Sequence, residues 1–338
     1  MLNYGIVGYG YWGPNLTRVF NQAAGSKVLA VADQQAANRA KVKGLYPAID
    51  VYAEASELIA DTRIDAVAIA TPISTHYALA TAALDAGKHV IVEKPLCASS
   101  DDAARLVDLA ARRNLQILVD HTFVYTGAVR KMNEVVTASK LGRVLYYDSI
   151  RINLGLYQQD MNVIWDLVVH DLAILSSVMP RRPEAVSAIY ADPLKTGVPG
   201  IAYVTLFYPD NVVAHMHASW LAPVKIRQVV LGGDKSMIVY DDLNPSEKIR
   251  IYDKGVELAP SLEQAYALKV EYRHGDMLAP QVESREALAV MADHANHCFD
   301  KNIAPMTSGE VGMRIVRLLE LADRSAQRNG EVLRVEAW

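Results

Sequence analysis

A carboxylate and an imidazole stand four residues apart in an otherwise apolar part of the sequence. Asp166 and His170 are surrounded by valine, leucine and isoleucine, and the segment Trp165–Val178 predicts a helix. Side chains four apart share one helix face, so the carboxylate can orient the imidazole. Histidine titrates near neutral pH and suits a general base that accepts a hydroxyl proton. The alternative is a buried, hydrogen-bonded structural pair.

A lysine in the sequence Glu93-Lys94-Pro95 is a second candidate for chemistry. It follows the apolar run His89–Val92, which predicts a strand. Ligands of doubly wound sheets bind beyond the carboxyl ends of the strands, so Lys94 is expected to point into the ligand cleft. There it can stabilise negative charge on a reacting oxygen. A surface lysine before a turn is the alternative.

Three glycines near the start of the chain predict a dinucleotide site. Gly8, Gly10 and Gly13 fit G-x-G-x-x-G between a predicted strand and a predicted helix, the context that this motif requires. Asp33 ends the next strand, about 20 residues on, where a carboxylate binds the ribose 2′-hydroxyl. The same carboxylate repels a 2′-phosphate. Gln34 and Gln35 offer no positive charge to offset this, and Arg39 is a more distant alternative. The prediction is NAD rather than NADP.

Other polar groups are expected to have structural roles. Asp171 is interpreted as a solvated or helix-capping carboxylate. His294 and His297, with Asp293 nearby, share a helix face, but a third metal ligand at useful spacing is not evident, so no metal is predicted. The histidines at 215 and 217 alternate as strand residues do.

The order of the elements predicts how these residues are positioned. Apolar strands alternate with helices up to about residue 120, which indicates a doubly wound parallel sheet. Alternating, β-branched and aromatic segments then predict a largely antiparallel sheet, with two helices, Ser284–Asp300 and Ser308–Arg328, near the end. The predicted fold is α/β, with one domain over residues 1–120 and a substrate-binding and oligomerisation domain over 121–338.

Composition excludes several classes of protein. The chain has 338 residues, 51 % hydrophobic and 21 % charged, with a net charge of −4. The length favours two domains, and the balance is that of a globular protein. Without a basic patch or a long apolar run, neither nucleic acid nor a membrane is an expected partner. The absence of a signal peptide and the two cysteines, taken as reduced, indicate the cytosol.

Together these motifs resemble the glucose–fructose oxidoreductase / inositol dehydrogenase (Gfo/Idh/MocA) superfamily along the whole chain. The resemblance rests on the glycine motif, Ala70-Thr71-Pro72 with His76, Glu93-Lys94-Pro95 and Asp166-x-x-x-His170. One departure is Val168, where the family often has glycine. The resemblance implies an N-terminal Rossmann domain and a C-terminal α/β domain whose open sheet forms homodimers or homotetramers.

The resemblance also implies roles. Lys94 sits by the nicotinamide and the reacting hydroxyl, His170 is the acid/base and Asp166 is its partner. The residues assigned to NAD by the motifs and the resemblance are Gly8, Gly10, Tyr11, Trp12, Gly13, Asp33, Thr71, Pro72, His76, Glu93 and Lys94.

The substrate expected from the sequence is a nucleotide sugar. The segment around Asp166 resembles a subgroup found among bacterial polysaccharide and nucleotide-sugar genes, which suggests a UDP-N-acetylhexosamine or its uronic acid, oxidised at C3. The side chains predicted to bind it are Arg151, Asn153, Tyr157 and Trp165. Arginine suits phosphate or carboxylate and aromatic faces suit sugar rings, although Arg151 as an exposed strand residue is the alternative. Competing functions are an NADPH-dependent keto-sugar reductase, an inositol or free-sugar dehydrogenase, and a non-catalytic NAD(P)-binding sensor.

Overall fold

A computed structural model describes residues 1–155, 161–179, 181–257 and 271–336. The chain divides into two compact units. The first comprises Met1–Tyr125 and Arg285–Arg317, and the second comprises Thr126–Ser284 and Leu318–Trp338.

The first unit is built on a parallel sheet of six described strands. They are β1 Leu2–Val7, β2 Ser26–Ala32, β3 Asp50–Tyr52, β4 Ala66–Ile69, β5 His89–Glu93 and β6 Ile117–Asp120. Their order in the sheet is β3-β2-β1-β4-β5-β6, the doubly wound arrangement in which dinucleotides bind where the strand order reverses. All residues of β4 and β6 are buried, which explains their continuous apolar sequences.

Helices connect these strands: α1 Gly13–Gln22, α2 Ala36–Leu45, α3 Ala55–Ala60, α4 His76–Asp85 and α5 Ser100–Arg113. Helix α5 begins and ends at the predicted residues because its ends carry strong local signals. Ser99 Oγ accepts a hydrogen bond from Asp102 N at 3.1 Å, and Asn114 ends the helix in the left-handed conformation with φ 55°. Acidic residues in the first turn and arginines in the last complement the helix dipole.

The chain returns to the first unit near its end. The helices α8 Ala287–Lys301 and α9 Gly309–Gln327 lie near the end of the sequence, and residues 285–317 belong to the first unit. Tyr4 shows why, since its hydroxyl donates to Asn296 Oδ1 at 2.9 Å and its ring stacks on Phe20. The sequence predicts one domain over 121–338 whose two last helices pack back on the body, whereas the contacts group residues 285–317 with the first unit.

The second unit holds a mixed sheet with nine strands among its described residues. They are β7 Val144–Leu154, β8 Ala185–Ala191, β9 Ile201–Phe207, β10 Val213–Ser219, β11 Leu221–Gly233, β12 Met237–Asp241, β13 Ile249–Glu257, β14 Glu271–Leu278 and β15 Leu333–Arg334. Their order is β14-β13-β12-β11-β7-β10-β9-β8-β15, and only β7 and β10 pair in parallel. The prediction of a mostly antiparallel open sheet is confirmed.

Burial alternates along these strands. In β9, Ala202, Val204 and Leu206 are buried, whereas Tyr203 between them is exposed. The buried face packs against helices that include α6 Gly127–Thr137 and α7 Val169–Val178. No helix in the described part of the chain combines the length and apolar character that crossing a membrane requires.

Candidate active site

The glycine turn of the first unit has the geometry of a phosphate-binding turn. Gly8 has φ +92°, and a Cβ there would lie 2.6 Å from the Ala70 carbonyl oxygen. A Cβ on Gly13 would lie 2.1 Å from the Gly8 carbonyl oxygen, so the start of α1 packs tightly on the turn. Gly10, in contrast, faces open space. The open position beside the N-terminus of a helix fits the approach of an anionic pyrophosphate to the backbone.

The side chains in this turn differ in exposure. Tyr11 is 90 % exposed and its ring stacks on that of half-buried Trp12, with 6.0 Å between centroids. The indole Nε1 of Trp12 donates to Asp120 Oδ2 at 2.8 Å. Contacts of either ring with a cofactor stay predictions.

Asp33 follows β2 and is fixed by the backbone around it. Its Oδ2 accepts from Tyr9 N at 2.7 Å, and its Oδ1 accepts from Gln35 N at 2.8 Å. The guanidinium of Arg39 donates to the main-chain carbonyls of Asp33 and Gln34. The carboxylate is therefore held in place, while its contact with a ribose hydroxyl stays a prediction.

His76 connects the turns that follow β4 and β5. It is 1 % exposed, with Nε2 2.8 Å from the Thr71 carbonyl oxygen and Nδ1 2.9 Å from that of Pro95. Burial lowers its pKa. Pro72 leads into a short 3₁₀ turn, Ile73–Thr75. The geometry makes His76 a link between the two turns, while its direct contact with a cofactor stays a prediction.

Lys94 is the first residue after β5. Its backbone N donates to Glu93 Oε2 at 3.2 Å. Burial and the neighbouring Asp120 carboxylate raise the pKa of Glu93 well above its usual range. Asp120 ends the adjacent strand, in register with Glu93, and is 2 % exposed. Asp120 has no predicted role, although its place at a strand end, like that of Glu93, is a signal that the sequence offers.

His121 adds a neutral imidazole beside Lys94. It is 1 % exposed, and burial together with the positive charge of Lys94 lowers its pKa to about 3. The imidazole is therefore uncharged at neutral pH. This leaves the lysine as the positive group at this strand end.

In the second unit, Asp166 and His170 lie where two kinds of helix meet. Residues Ile164–Val168 form a single π-helical turn, and α7 begins at Val169. The sequence predicted one α-helix over the whole segment, and the difference arises because a π turn has no clear sequence signature. Such turns occur often at functional sites. Both side chains are half-buried.

Polar contacts of Asp166 and Asn162 hold the π turn. The indole Nε1 of Trp220, a residue 1 % exposed just after β10, donates to Asp166 Oδ2 at 3.1 Å. Asn162 Oδ1 accepts from Ile164 N at 3.0 Å, and its Nδ2 donates to Asp323 at 2.7 Å. Trp220 is not among the predicted residues, because a partner 54 residues away cannot be identified from local spacing.

Arg151 and Asp171 form a buried ion pair. They are 4 % and 2 % exposed, and the Nε and Nη2 atoms of Arg151 donate to the two carboxylate oxygens at 3.0 Å each. The interpretation of Asp171 as solvated or capping is wrong, and so is the alternative of an exposed Arg151. Because two of its donors are engaged inside the unit, the structure gives no support to the predicted contact of Arg151 with a substrate anion.

The remaining predicted substrate residues are placed in part. Asn153, in β7, and Trp165, in the π turn, are half-buried. Tyr157 lies outside the described residues. The substrate contacts of all three stay predictions.

The other histidines have structural neighbours. His294 Nε2 accepts from Met306 N at 3.0 Å and lies 3.4 Å from Cys298 Sγ. His215 Nδ1 is 3.0 Å from Thr205 Oγ1, and His217 stacks on Tyr203. Over the described ranges, no three His, Cys, Asp or Glu side chains cluster as metal ligands.

Comparison with known proteins places the chain in a family. Residues 2–121 match the model of an oxidoreductase family with an NAD-binding Rossmann fold, and residues 129–239 match the GFO/IDH/MocA C-terminal domain. Together the matches cover more than half of the chain. The chain therefore belongs to the Gfo/Idh/MocA family, and it is an NAD-binding oxidoreductase that acts on CH–OH groups.

Individual relatives differ in what they act on. The chain is 26 % identical over 285 residues to a UDP-N-acetylglucosamine 3-dehydrogenase from Acidithiobacillus ferrooxidans, covering 82 % of this chain and 86 % of the relative. It is 30 % identical over 202 residues to inositol 2-dehydrogenase 2 from Saccharopolyspora erythraea, covering 58 % and 59 %. An Agrobacterium radiobacter oxidoreductase solved with NAD⁺, L-tartaric acid and magnesium has a TM-score of 0.82 at 17 % identity, covering 98 % of both chains, which shows the shared fold.

Proposed function

We propose that this family member is an NAD-dependent dehydrogenase that oxidises a ring hydroxyl of a nucleotide sugar, with UDP-N-acetylglucosamine oxidised at C3 as the first candidate. The observation that carries the substrate is the likeness to UDP-N-acetylglucosamine 3-dehydrogenase along most of both chains. The residues proposed for chemistry are His170, Asp166 and Lys94.

His170 is assigned the proton transfer. A neutral imidazole accepts the proton of the sugar hydroxyl as the carbon–oxygen double bond forms. Asp166 is assigned the orientation of that imidazole, and its own carboxylate is held by the indole of Trp220. A fixed carboxylate keeps the imidazole in one tautomer and stabilises it once it is protonated.

Lys94 is assigned the reacting oxygen. Its ammonium group donates a hydrogen bond to the oxygen and stabilises the negative charge that develops when the proton leaves. The neutral His121 and the raised pKa of Glu93 fit this role, because a single strong positive charge then dominates at the strand end.

The cofactor half of the site rests on the glycine turn and Asp33. NAD, when bound, supplies the acceptor for the hydride that leaves the carbinol carbon. Gly10 leaves the space that a pyrophosphate needs, and Asp33 receives the ribose hydroxyl. The Asp33 carboxylate also argues against the NADPH-dependent reductase, because it repels a 2′-phosphate, and the nearby Arg39 directs its Nη1 to main-chain carbonyls.

A free polyol such as inositol is the second candidate substrate. The likeness to inositol 2-dehydrogenase 2 favours it, although it covers little more than half of each chain. The pairing of Arg151 with Asp171 also removes one of the two sequence arguments for a phosphorylated substrate. A non-catalytic sensor is less well supported, since it has no need to keep Lys94, Asp166 and His170 together.

A homodimer or homotetramer is proposed through the open face of the nine-stranded sheet. A cross-strand row on that face consists of Ile189, Tyr203, His217 and Ile150. Of these, Ile189, Tyr203 and Ile150 are exposed. Light scattering of the pure protein is expected to show the oligomer, and Tyr203→Glu is expected to shift it towards monomer. A role in polysaccharide biosynthesis and a cytosolic location stay predictions.

The test of function is a turnover panel. Purified protein is assayed at 340 nm with NAD or NADP against UDP-sugars, dTDP-sugars, free sugars and inositols at equal concentration. The proposal expects the highest kcat/KM with NAD and a UDP-N-acetylhexosamine or its uronic acid. A free polyol that exceeds every nucleotide sugar contradicts the substrate, and tighter binding of NADPH than NADH contradicts the cofactor preference.

A further inference from the structure

Two acidic side chains end neighbouring strands beside the cofactor turn. Glu93 is the last residue of β5 and Asp120 is the last residue of β6, and the two are partners in the parallel ladder. Asp120 is 2 % exposed. The Oε1 atom of Glu93 is buried, and no N–H or O–H donor reaches it from the described residues. The proposed mechanism gives Asp120 no task.

The contacts of the two carboxyl groups form a continuous chain. Trp12, in the glycine turn, donates its indole N–H to Asp120 Oδ2 at 2.8 Å, and Thr122 Oγ1 donates to Oδ1 at 2.6 Å. On the other side, Glu93 Oε2 accepts from the backbone N of Lys94 at 3.2 Å. Trp12 is thus bonded to Asp120 and Lys94 to Glu93, and the two bonded pairs meet where Asp120 and Glu93 are partners in the ladder.

The pairing of Glu93 with Asp120 requires a proton. Glu93 and Asp120 are partners in the ladder, and two ionised carboxylates at neighbouring strand ends repel each other. One of the two is therefore expected to hold a proton. Burial, followed by the charge of Asp120 and a hydrogen bond to it, raises the pKa of Glu93 well above its usual range, while Lys94 opposes the shift. A protonated Glu93 donates to Asp120, which satisfies the buried oxygen.

We propose that Asp120 is a positioning residue that ties Trp12 in the cofactor turn to the strand end that carries Lys94. Through it, the shape of the NAD-binding turn and the position of the lysine are set together. The part that concerns Lys94 rests on the proposed function, whereas the part that concerns Trp12 does not.

The first test measures NAD affinity, which does not require turnover. Trp12→Phe and Asp120→Asn are each expected to weaken NAD binding about tenfold, the effect of losing one hydrogen bond to a charged group. The double variant is expected to bind no worse than the weaker single variant, within about twofold, because both changes remove the same link. Losses that multiply in the double variant overturn the proposal.

The second test uses the indole N–H signal of Trp12 in an NMR spectrum. The chain has four tryptophans, so the Trp12→Phe spectrum assigns the signal. Asp120→Asn is expected to move this signal upfield. Glu93→Ala is expected to do the same, whereas Glu93→Gln, whose amide donates as a protonated Glu93 does, moves it less and weakens NAD binding less. If Gln and Ala at this position behave alike, the shared proton is contradicted.

The matched control is Asp108→Asn, which removes one negative charge from the exposed side of α5 and is expected to leave both readouts unchanged. The effect on Lys94 is tested by turnover: Asp120→Asn is expected to lower kcat severalfold even at saturating NAD, because the position of Lys94 changes. Unchanged kcat in an active enzyme overturns the Lys94 part alone. If no sugar is turned over, the affinity and NMR results still decide the Trp12 part.

Discussion

Two carboxylates of the candidate site, Asp33 and Asp166, are held in place by different means. Asp33 accepts its two shortest hydrogen bonds from the backbone N–H groups of Tyr9 and Gln35, and a longer one from the side chain of Asn38. Asp166 depends on the side chain of Trp220, and its neighbour Asp171 depends on that of Arg151. A carboxylate held by backbone is recognisable from local sequence. One held by distant side chains is not, and it is more sensitive to single substitutions.

The largest expected effect in the second unit is on His170. His170→Ala removes the proposed acid/base and is expected to lower kcat by about 10²–10⁴-fold with little change in melting temperature. His297→Ala, an exposed histidine on α8, is the matched control and should retain activity. If His170→Ala unfolds the protein while His170→Gln remains folded and active, the residue is structural.

The buried ion pair is expected to govern stability. Asp171→Asn leaves the Arg151 guanidinium buried without its charged partner and should lower the free energy of unfolding by about 3–5 kcal/mol. Urea unfolding measures this loss. Asp33→Asn should cost less, because Asp33 is half-buried, the amide oxygen still accepts from one of the two backbone N–H groups, and no buried charge loses its partner. Equal losses at the two positions contradict the comparison.

In the first unit, Lys94→Ala tests the stabilisation of the reacting oxygen. We expect kcat to fall by about 10²-fold or more while NAD affinity and the fold are retained. Lys301→Ala, at the exposed end of α8, supplies the control for loss of a lysine. Near-normal turnover in Lys94→Ala would show that Lys94 is a surface lysine, the alternative interpretation.

A smaller effect is expected at Trp220. Trp220→Phe keeps an aromatic ring but removes the N–H donor to Asp166, and we expect turnover to fall about tenfold. Trp165→Phe is a useful comparison, since Trp165 lies in the same π turn. If Trp220→Phe lowers only the melting temperature and leaves kcat unchanged, the indole supports the fold and not the orientation of Asp166.

Local signals explain what the sequence predicted. Both ends of α5 are set by neighbours within a few residues. The glycine turn and Asp33 are recognisable because they belong to one motif of known spacing, although Asp33 bonds to Tyr9 N, 24 residues away. The short elements β3 and α3 were not predicted, because three and six residues are too few for a periodic pattern. Other features depend on contacts between distant segments, which local patterns do not encode. They are the return of 285–317 to the first unit, the π turn, and the bonds of Asp120 and Trp220.

The most direct test of the central claim follows the hydrogen that leaves the sugar. UDP-N-acetylglucosamine deuterated at C3 is incubated with NAD and the purified protein, and the NADH formed is analysed by mass spectrometry. The account predicts one deuterium in NADH from the C3-labelled substrate and none from the same sugar labelled at C4. NADH without deuterium from the C3-labelled sugar, or no reduction of NAD by any nucleotide sugar while a free polyol reacts, would contradict it.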